Sequence, residues 1–138
     1  MSDQLVPTCE YDLTEAFQYE EQPGRTYKLH IGGQRISGYV DGLEAYKQAV
    51  YKILNTERYT HIIYSWNYGV ELKELIGQHP AYVMPEIERR VKDALMQDDR
   101  TERVDSFEFD TSKRGEIAVT FTAHSIYGEA KIQTTVAI

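Results

Sequence analysis

Four histidines, one cysteine and 22 carboxylates are the side chains on which chemistry could rest. His30, His61, His79 and His124 stand too far apart along the chain for a local metal-ligand spacing. His30 and His124 fall on the polar side of predicted strands, where solvent or a hydrogen bond accounts for them. His124 and Ser125 are neighbours, and neighbours on a strand point to opposite faces, so they form no nucleophile–base pair. Cys9 stands alone, which excludes an internal disulfide and a cysteine-based zinc site and leaves a free thiol. The glycines of GGQRISG, Gly32 to Gly38, lack a following Lys-Ser/Thr and a strand-to-helix setting, so they make no phosphate loop. Glycosidase chemistry needs one acid kept protonated in an apolar pocket and a second about 5 to 10 Å away. Glu57 and Glu71 are the nearest candidates, flanking the aromatic stretch YSWNYG from Tyr64 to Gly69. Most other acids belong to charged helix faces. No catalytic, cofactor or metal site is expected.

The remaining properties point to protein partners. The net charge of -7 disfavours nucleic acid and anionic membranes and suits a neutral or basic protein surface. No apolar run reaches the roughly 20 residues of a membrane span, and MSDQLVPTCEYD lacks the basic start and apolar core of a signal peptide. Eleven tyrosines in 138 residues suit both a core and an interface.

The elements that must position any surface read as one α+β domain over 25–138, after a weakly ordered segment, 1–24, that ends in the turn signal Pro23-Gly24. Within that segment Ala16–Glu20 could dock as a short helical turn. Alternation of Tyr27, Leu29 and Ile31 predicts a strand, Gly32-Gly33 a two-residue turn, and QRISGYV a returning strand. Asp41 and Glu44 resemble a capping box. Leu43, Tyr46, Val50, Ile53 and Leu54 then predict a helix from Gly42 to Asn55. HIIYS reads as a strand or extended segment, and VELKELIG as a short helix ended by Gly77. Pro85 suits the first turn of a second helix, with Met84, Ile87, Val91, Ala94 and Leu95 on one face and its end near Gln97. RVDSFEF, EIAVTFTAHS and AKIQTTVAI predict a three-stranded meander. Val104 has the wrong parity for the Phe107/Phe109 face, which predicts either a bulge or a late strand start. The fold class is therefore helices packed on a mostly antiparallel sheet.

ILNTERYTHIIYSWNYGVELKELIGQ, a helix ending in DDR, and a β-meander together resemble the baseplate-wedge and sheath-initiator family of contractile phage tails. A type VI secretion protein belongs to the same group. The resemblance covers Thr26 to Ile138 and is most specific at Thr56-Glu57-Arg58, at the aromatic stretch ending in Tyr68-Gly69, and at Leu72. Where the family carries Glu-Pro-Arg after its long helix, this chain has Asp98-Asp99-Arg100. The resemblance implies a structural, non-enzymatic role at the base of the tail sheath, templating the first sheath ring. It implies wedge and sheath proteins as partners, with assembly in the host bacterial cytoplasm and residence in the tail baseplate. An older lysozyme-like label on the wider family keeps a cell-wall glycan hydrolase as the alternative.

Two surfaces follow as expectations. Glu57, Arg58, Asp98, Asp99 and Arg100 form a docking group, with Arg58 and Arg100 either bridging to acids such as Glu57 and Asp98 or presenting forks to a partner's carboxylates. Gln133, Thr135 and Ile138 lie on a terminal strand whose margin could accept or donate a strand. Trp66 and Tyr68 are expected to pack into the core, with Asn67 and Gly69 permitting a sharp turn.

Overall fold

The computed structural model describes residues 24–138. Cys9 and the Ala16–Glu20 stretch lie outside the described residues. Strands β1 (Thr26–His30) and β2 (Arg35–Val40) form an antiparallel hairpin. Helix α1 (Gly42–Leu54) follows, then a long loop with a single 3₁₀ turn at Lys73–Leu75, then helix α2 (Pro80–Met96). Strands β3 (Thr101–Asp110), β4 (Glu116–Ser125) and β5 (Gly128–Ala137) form an antiparallel meander in the order β3-β4-β5. The α+β class expected from the sequence is the one observed.

Alternation on β4 builds the core. Ile117, Val119, Phe121 and Ala123 are all fully buried, and Ala130 and Val136 of β5 join them. Against this face α1 sets Tyr46, Val50 and Ile53, and α2 sets Val83, Ile87, Val91, Ala94 and Leu95. Helix α1 contacts β5 and α2 contacts β3, so each helix attends one flank of the sheet. The buried Tyr46 hydroxyl is satisfied by Thr101 Oγ1 at 2.8 Å, where α1 meets the start of β3. Burial pushes that phenol above its ordinary pKa, against the opposing effect of the hydrogen bond.

The hairpin is held by a side chain that mimics a strand. Gln48 of α1 donates to the Tyr27 carbonyl at 2.7 Å and accepts from Leu29 N–H at 2.9 Å. The expected two-residue Gly32-Gly33 turn is instead a four-residue turn, closed by Gly33 N–H on the His30 carbonyl, and the positive φ falls on Gln34 at 50°. Gly38, at φ 73°, sits where the register slips between Tyr27 and Leu29.

Two helix expectations need correction. Asp41 caps α1, but its Oδ1 accepts from Gly42 N–H, and Glu44 faces Lys47 instead of closing a reciprocal box. Helix α2 begins at Pro80, not near Pro85, because His79 Nδ1 accepts from Ala81 N–H and caps the earlier turn. Pro85 lies inside the helix, where it leaves the Ala81 carbonyl without the usual donor. The earlier start adds Val83 to the buried face and leaves Met84 only partly buried.

The bulge expected near Val104 is present. Asp105 opposes Thr122 while Glu108 opposes Thr120, so β3 carries one extra residue, and Ser106 takes φ 57°. This lets Val104, Phe107 and Phe109 all meet the core side. Phe107 stacks on Phe121 at 5.2 Å.

The helix phase has a direct consequence. Ile87→Ala should lower stability by about 2 to 5 kcal/mol, and Met84→Ala by about 1 kcal/mol or less. Urea unfolding of both variants checks the phase of α2.

Candidate functional site

The segment from Thr56 to Leu75 is positioned by one close backbone approach. Val70 N–H donates to the Thr56 carbonyl at 3.0 Å, and Arg58 N–H donates to the Val70 carbonyl at 3.3 Å. These bonds make a short parallel bridge between Glu57 and Val70. Gly69, at φ 95°, allows it: a Cβ there would lie 2.6 Å from the Thr56 carbonyl oxygen and 3.1 Å from Arg58 N. The turn expectation thus holds at Gly69, whereas Asn67 keeps an ordinary negative φ.

Glu57 serves this architecture internally. Its carboxylate accepts from Leu72 N–H at 3.3 Å and Lys73 N–H at 3.2 Å, capping the 3₁₀ turn. Arg58 pairs with Asp93 of α2 at 2.9 Å, not with Glu57, and also donates to the Asn67 carbonyl at 3.3 Å. Its side chain is only 12% exposed, and its Nε is buried without a partner among the described residues. Arg90 makes a second staple from α2, donating to the Glu71 carbonyl at 2.8 Å and pairing with Glu74 and Glu86. The loop is therefore fixed to α2 by two arginines. Asp93 escaped the sequence reading because the 35-residue separation leaves no local signal.

The stretch between these staples reverses an expectation. Trp66 is 81% exposed, Ile62 and Ile63 are also exposed, and only Tyr68 packs on the core. HIIYS forms no strand. Consecutive turns, closed by Tyr64 N–H on His61 and Tyr68 N–H on Ser65, bring the chain around. Among the described residues no strand lies beside it, so an apolar run of this length has nothing there to pair with. Likewise VELKELIG reduces to the single 3₁₀ turn, since Val70 is held in the bridge. Tyr64 stacks on Tyr68 at 4.3 Å, and Tyr59 meets Trp66 edge-on at 5.9 Å.

Asp98 and Arg100 close on each other in the turn after α2. Arg100 donates Nε to Asp98 Oδ1 at 3.0 Å and Nη2 to Oδ2 at 2.8 Å, a bidentate pair, while its backbone N–H also reaches Oδ1 at 2.9 Å. Burial works against the Asp98 anion, but the Arg100 bonds outweigh it and hold the carboxyl below its ordinary value. Asp99 beside them is exposed. A cleft of about 690 Å3 opens here, lined by Asp98, Asp99, Arg100, Tyr68, Lys52 and Gln97 among others. So the sequence-nominated residues Asp98, Asp99 and Arg100 share one cleft, and Tyr68 joins it to the aromatic loop. Glu57 and Arg58 sit at the base of that loop.

Gln133, Thr135 and Ile138 lie on the other flank. β5 is the last strand of its sheet, and Gln133 and Thr135 are exposed on it. Ile138 is half-buried, and its N–H donates to the Gly115 carbonyl at 3.0 Å. The β4–β5 ladder runs through ten consecutive partners without a break, from Glu116–Ala137 to Ser125–Gly128. The opposite margin, β3, slips register twice.

Among the described residues no group of His, Cys, Asp or Glu could hold a metal ion, and no helix is long and apolar enough to cross a membrane. Residues 21–128 match the family model of the contractile injection system sheath initiator. The phage-like element PBSX protein XkdS of Bacillus subtilis (strain 168) is 35% identical over 137 residues, covering 96% of each chain.

Two substitutions test this geometry. Gly69→Ala should lower stability by about 3 kcal/mol or more, since strain at positive φ adds to a backbone clash; thermal and urea unfolding check it. Asp98→Asn should cost about 1 to 2 kcal/mol at neutral pH. The Asp98 carboxyl is depressed in the folded state, so its contribution is complete above the unfolded value of about 3.9 and fades as pH falls through the folded one. The gap between wild type and Asp98→Asn should therefore close in that acid window, as urea titrations at stepped pH would show.

Proposed function

We propose, for a chain that belongs to the contractile injection system sheath initiator family, that β5 is the margin on which the first sheath subunits are laid. In this reading the chain is a structural component of a phage-like contractile tail and performs no catalysis. The observation that carries it is the regular, ten-partner β5 edge opposite a twice-bulged β3. A strand edge leaves alternate N–H and C=O groups unpaired, and an incoming strand satisfies them by β-augmentation. Bulges on β3 break the spacing an added strand would need. Gln133 and Thr135, exposed on β5, would flank the added strand, and Ile138 would mark its end.

The second half of the proposal is docking to other wedge proteins through the cleft around Asp98, Asp99 and Arg100, beside the loop base held by Glu57 and Arg58. Arg58 and Arg100 are already committed to Asp93 and Asp98, so they shape this surface by fixing its backbone. Asp99 is the exposed charge that a basic partner would meet. Glu57, whose carboxylate is used by two backbone N–H groups, serves as a cap here and not as half of a hydrolytic pair.

Amide hydrogen exchange tests the strand-addition step. On mixing with the sheath protein of the same particle, every second amide along β5 should gain protection, while those already bonded to β4 stay unchanged. Protection appearing on β3 instead, or sheath binding with β5 unaltered, would refute the assignment.

A further inference from the structure

We propose that the loop from Tyr59 to Trp66 is a hydrophobic plug that seats in an uncharged apolar pocket of a baseplate subunit. This rests on the reading that the chain joins baseplate to sheath, and it names the group that faces the baseplate.

The exposure is far from ordinary surface wear. Ile62 is 103% exposed, Ile63 85% and Trp66 81%, with Tyr59 at 64%. Four large apolar side chains within eight residues stand in water, and the fold leaves them there although its own core lies directly beneath Tyr68. Single exposed apolar residues are unremarkable, but a contiguous group marks an interaction site. Trp, Tyr and Ile of this kind act as anchors when a pocket receives them.

The loop is also presented by design of its backbone. Gly69 closes its neck on Thr56 and Arg58, Arg58 ties it to Asp93 and Asn67, and Arg90 ties its exit to α2. A knob with a fixed neck loses less conformational entropy on docking than a loose loop.

Charge selects the occupant. Tyr59 to Tyr68 is ten residues without a single Asp, Glu, Lys or Arg. The arginines at its base are engaged in ion pairs, and the chain carries -7 overall. An anionic lipid surface needs exposed cations around inserted aromatics, which this loop lacks. An uncharged apolar pocket in a protein fits. Position then separates baseplate from sheath. The loop is stapled to α2, and the cleft it adjoins through Tyr68 is lined by α1 and the Gln97–Arg100 turn, with no residue of β5 in its wall. One chain can thus hold a plug in one partner and a strand from another.

The test uses the full chain, its variants Ile62→Ser/Ile63→Ser and Trp66→Ser, and the purified baseplate and sheath proteins of the same particle. Both variants should unfold with the wild type, because the altered side chains are exposed. Trp66 is the sole tryptophan, so its emission reports on the loop directly. One baseplate protein should bind with a shift of that emission to shorter wavelength, and the double variant should weaken binding about 100-fold. Sheath-induced exchange protection along β5 should survive in both variants. Five results would overturn the plug: undiminished baseplate binding by the variants; no baseplate binding at all; loss of sheath binding instead; self-association of the chain that the variants abolish; or an emission shift given only by phosphatidylcholine vesicles. Failure of β5 protection with the loop result intact would sink the strand reading alone.

Discussion

An antiparallel sheet of three strands has two margins, and backbone groups on each must find partners or meet water. This constraint organises the molecule. All the irregularity is on β3: an extra residue at Ser106, a second slip near Thr101, and α2 packed beside it. β5 has none, and its ladder to β4 is unbroken. The bulge at Ser106 follows from the core, since it turns Val104 inward together with Phe107 and Phe109, and it leaves the two margins unlike, one broken in register and one regular. Charged side chains on β5, Glu129 and Lys131, temper the open side against indiscriminate pairing without altering its backbone.

The second organising feature is the use of arginine inside the fold. Arg58, Arg90 and Arg100 each use a planar fork to join a loop carbonyl or turn carboxylate to its neighbours. Their value is geometric. Burial of a guanidinium is tolerated only when most of its donors are engaged, and at Arg58 the Nη atoms are, while Nε has no partner among the described residues. Such arginines cannot also be the forks that reach a partner, so the charge presented outward falls to residues such as Asp99.

Much of this was legible in the sequence, for definite reasons. The meander, both main helices and the Val104 bulge follow from period and parity, because a half-buried surface imposes them residue by residue. The Gly69 turn was legible because few residues tolerate such a backbone. The start of α2 was misplaced because Pro85 was read as the first-turn signal, whereas His79 supplies the cap and Pro80 opens the helix. HIIYSW was misread for a deeper reason. Apolar composition predicts burial only if the fold offers a place for it, and here the core takes Tyr68, Val70 and Leu75 from this part of the chain and leaves Ile62, Ile63 and Trp66 exposed. The Arg58–Asp93 pair had no local trace at all.

That misreading carries a physical lesson about docking. A fold that buries every large apolar residue has no anchor left for a partner, and one that exposes them on a flat strand invites aggregation. In this chain Ile62, Ile63 and Trp66 sit on a turn-rich loop, whose backbone cannot extend a sheet, and the regular β5 strand carries polar or small outward side chains. Tyr27, Ile36 and Tyr39 are exposed on the β1–β2 hairpin, where Tyr27 and Tyr39 stack on each other at 5.1 Å. The glycine that narrows the loop neck and the bulges on β3 leave two unlike surfaces, an apolar loop and a regular strand margin.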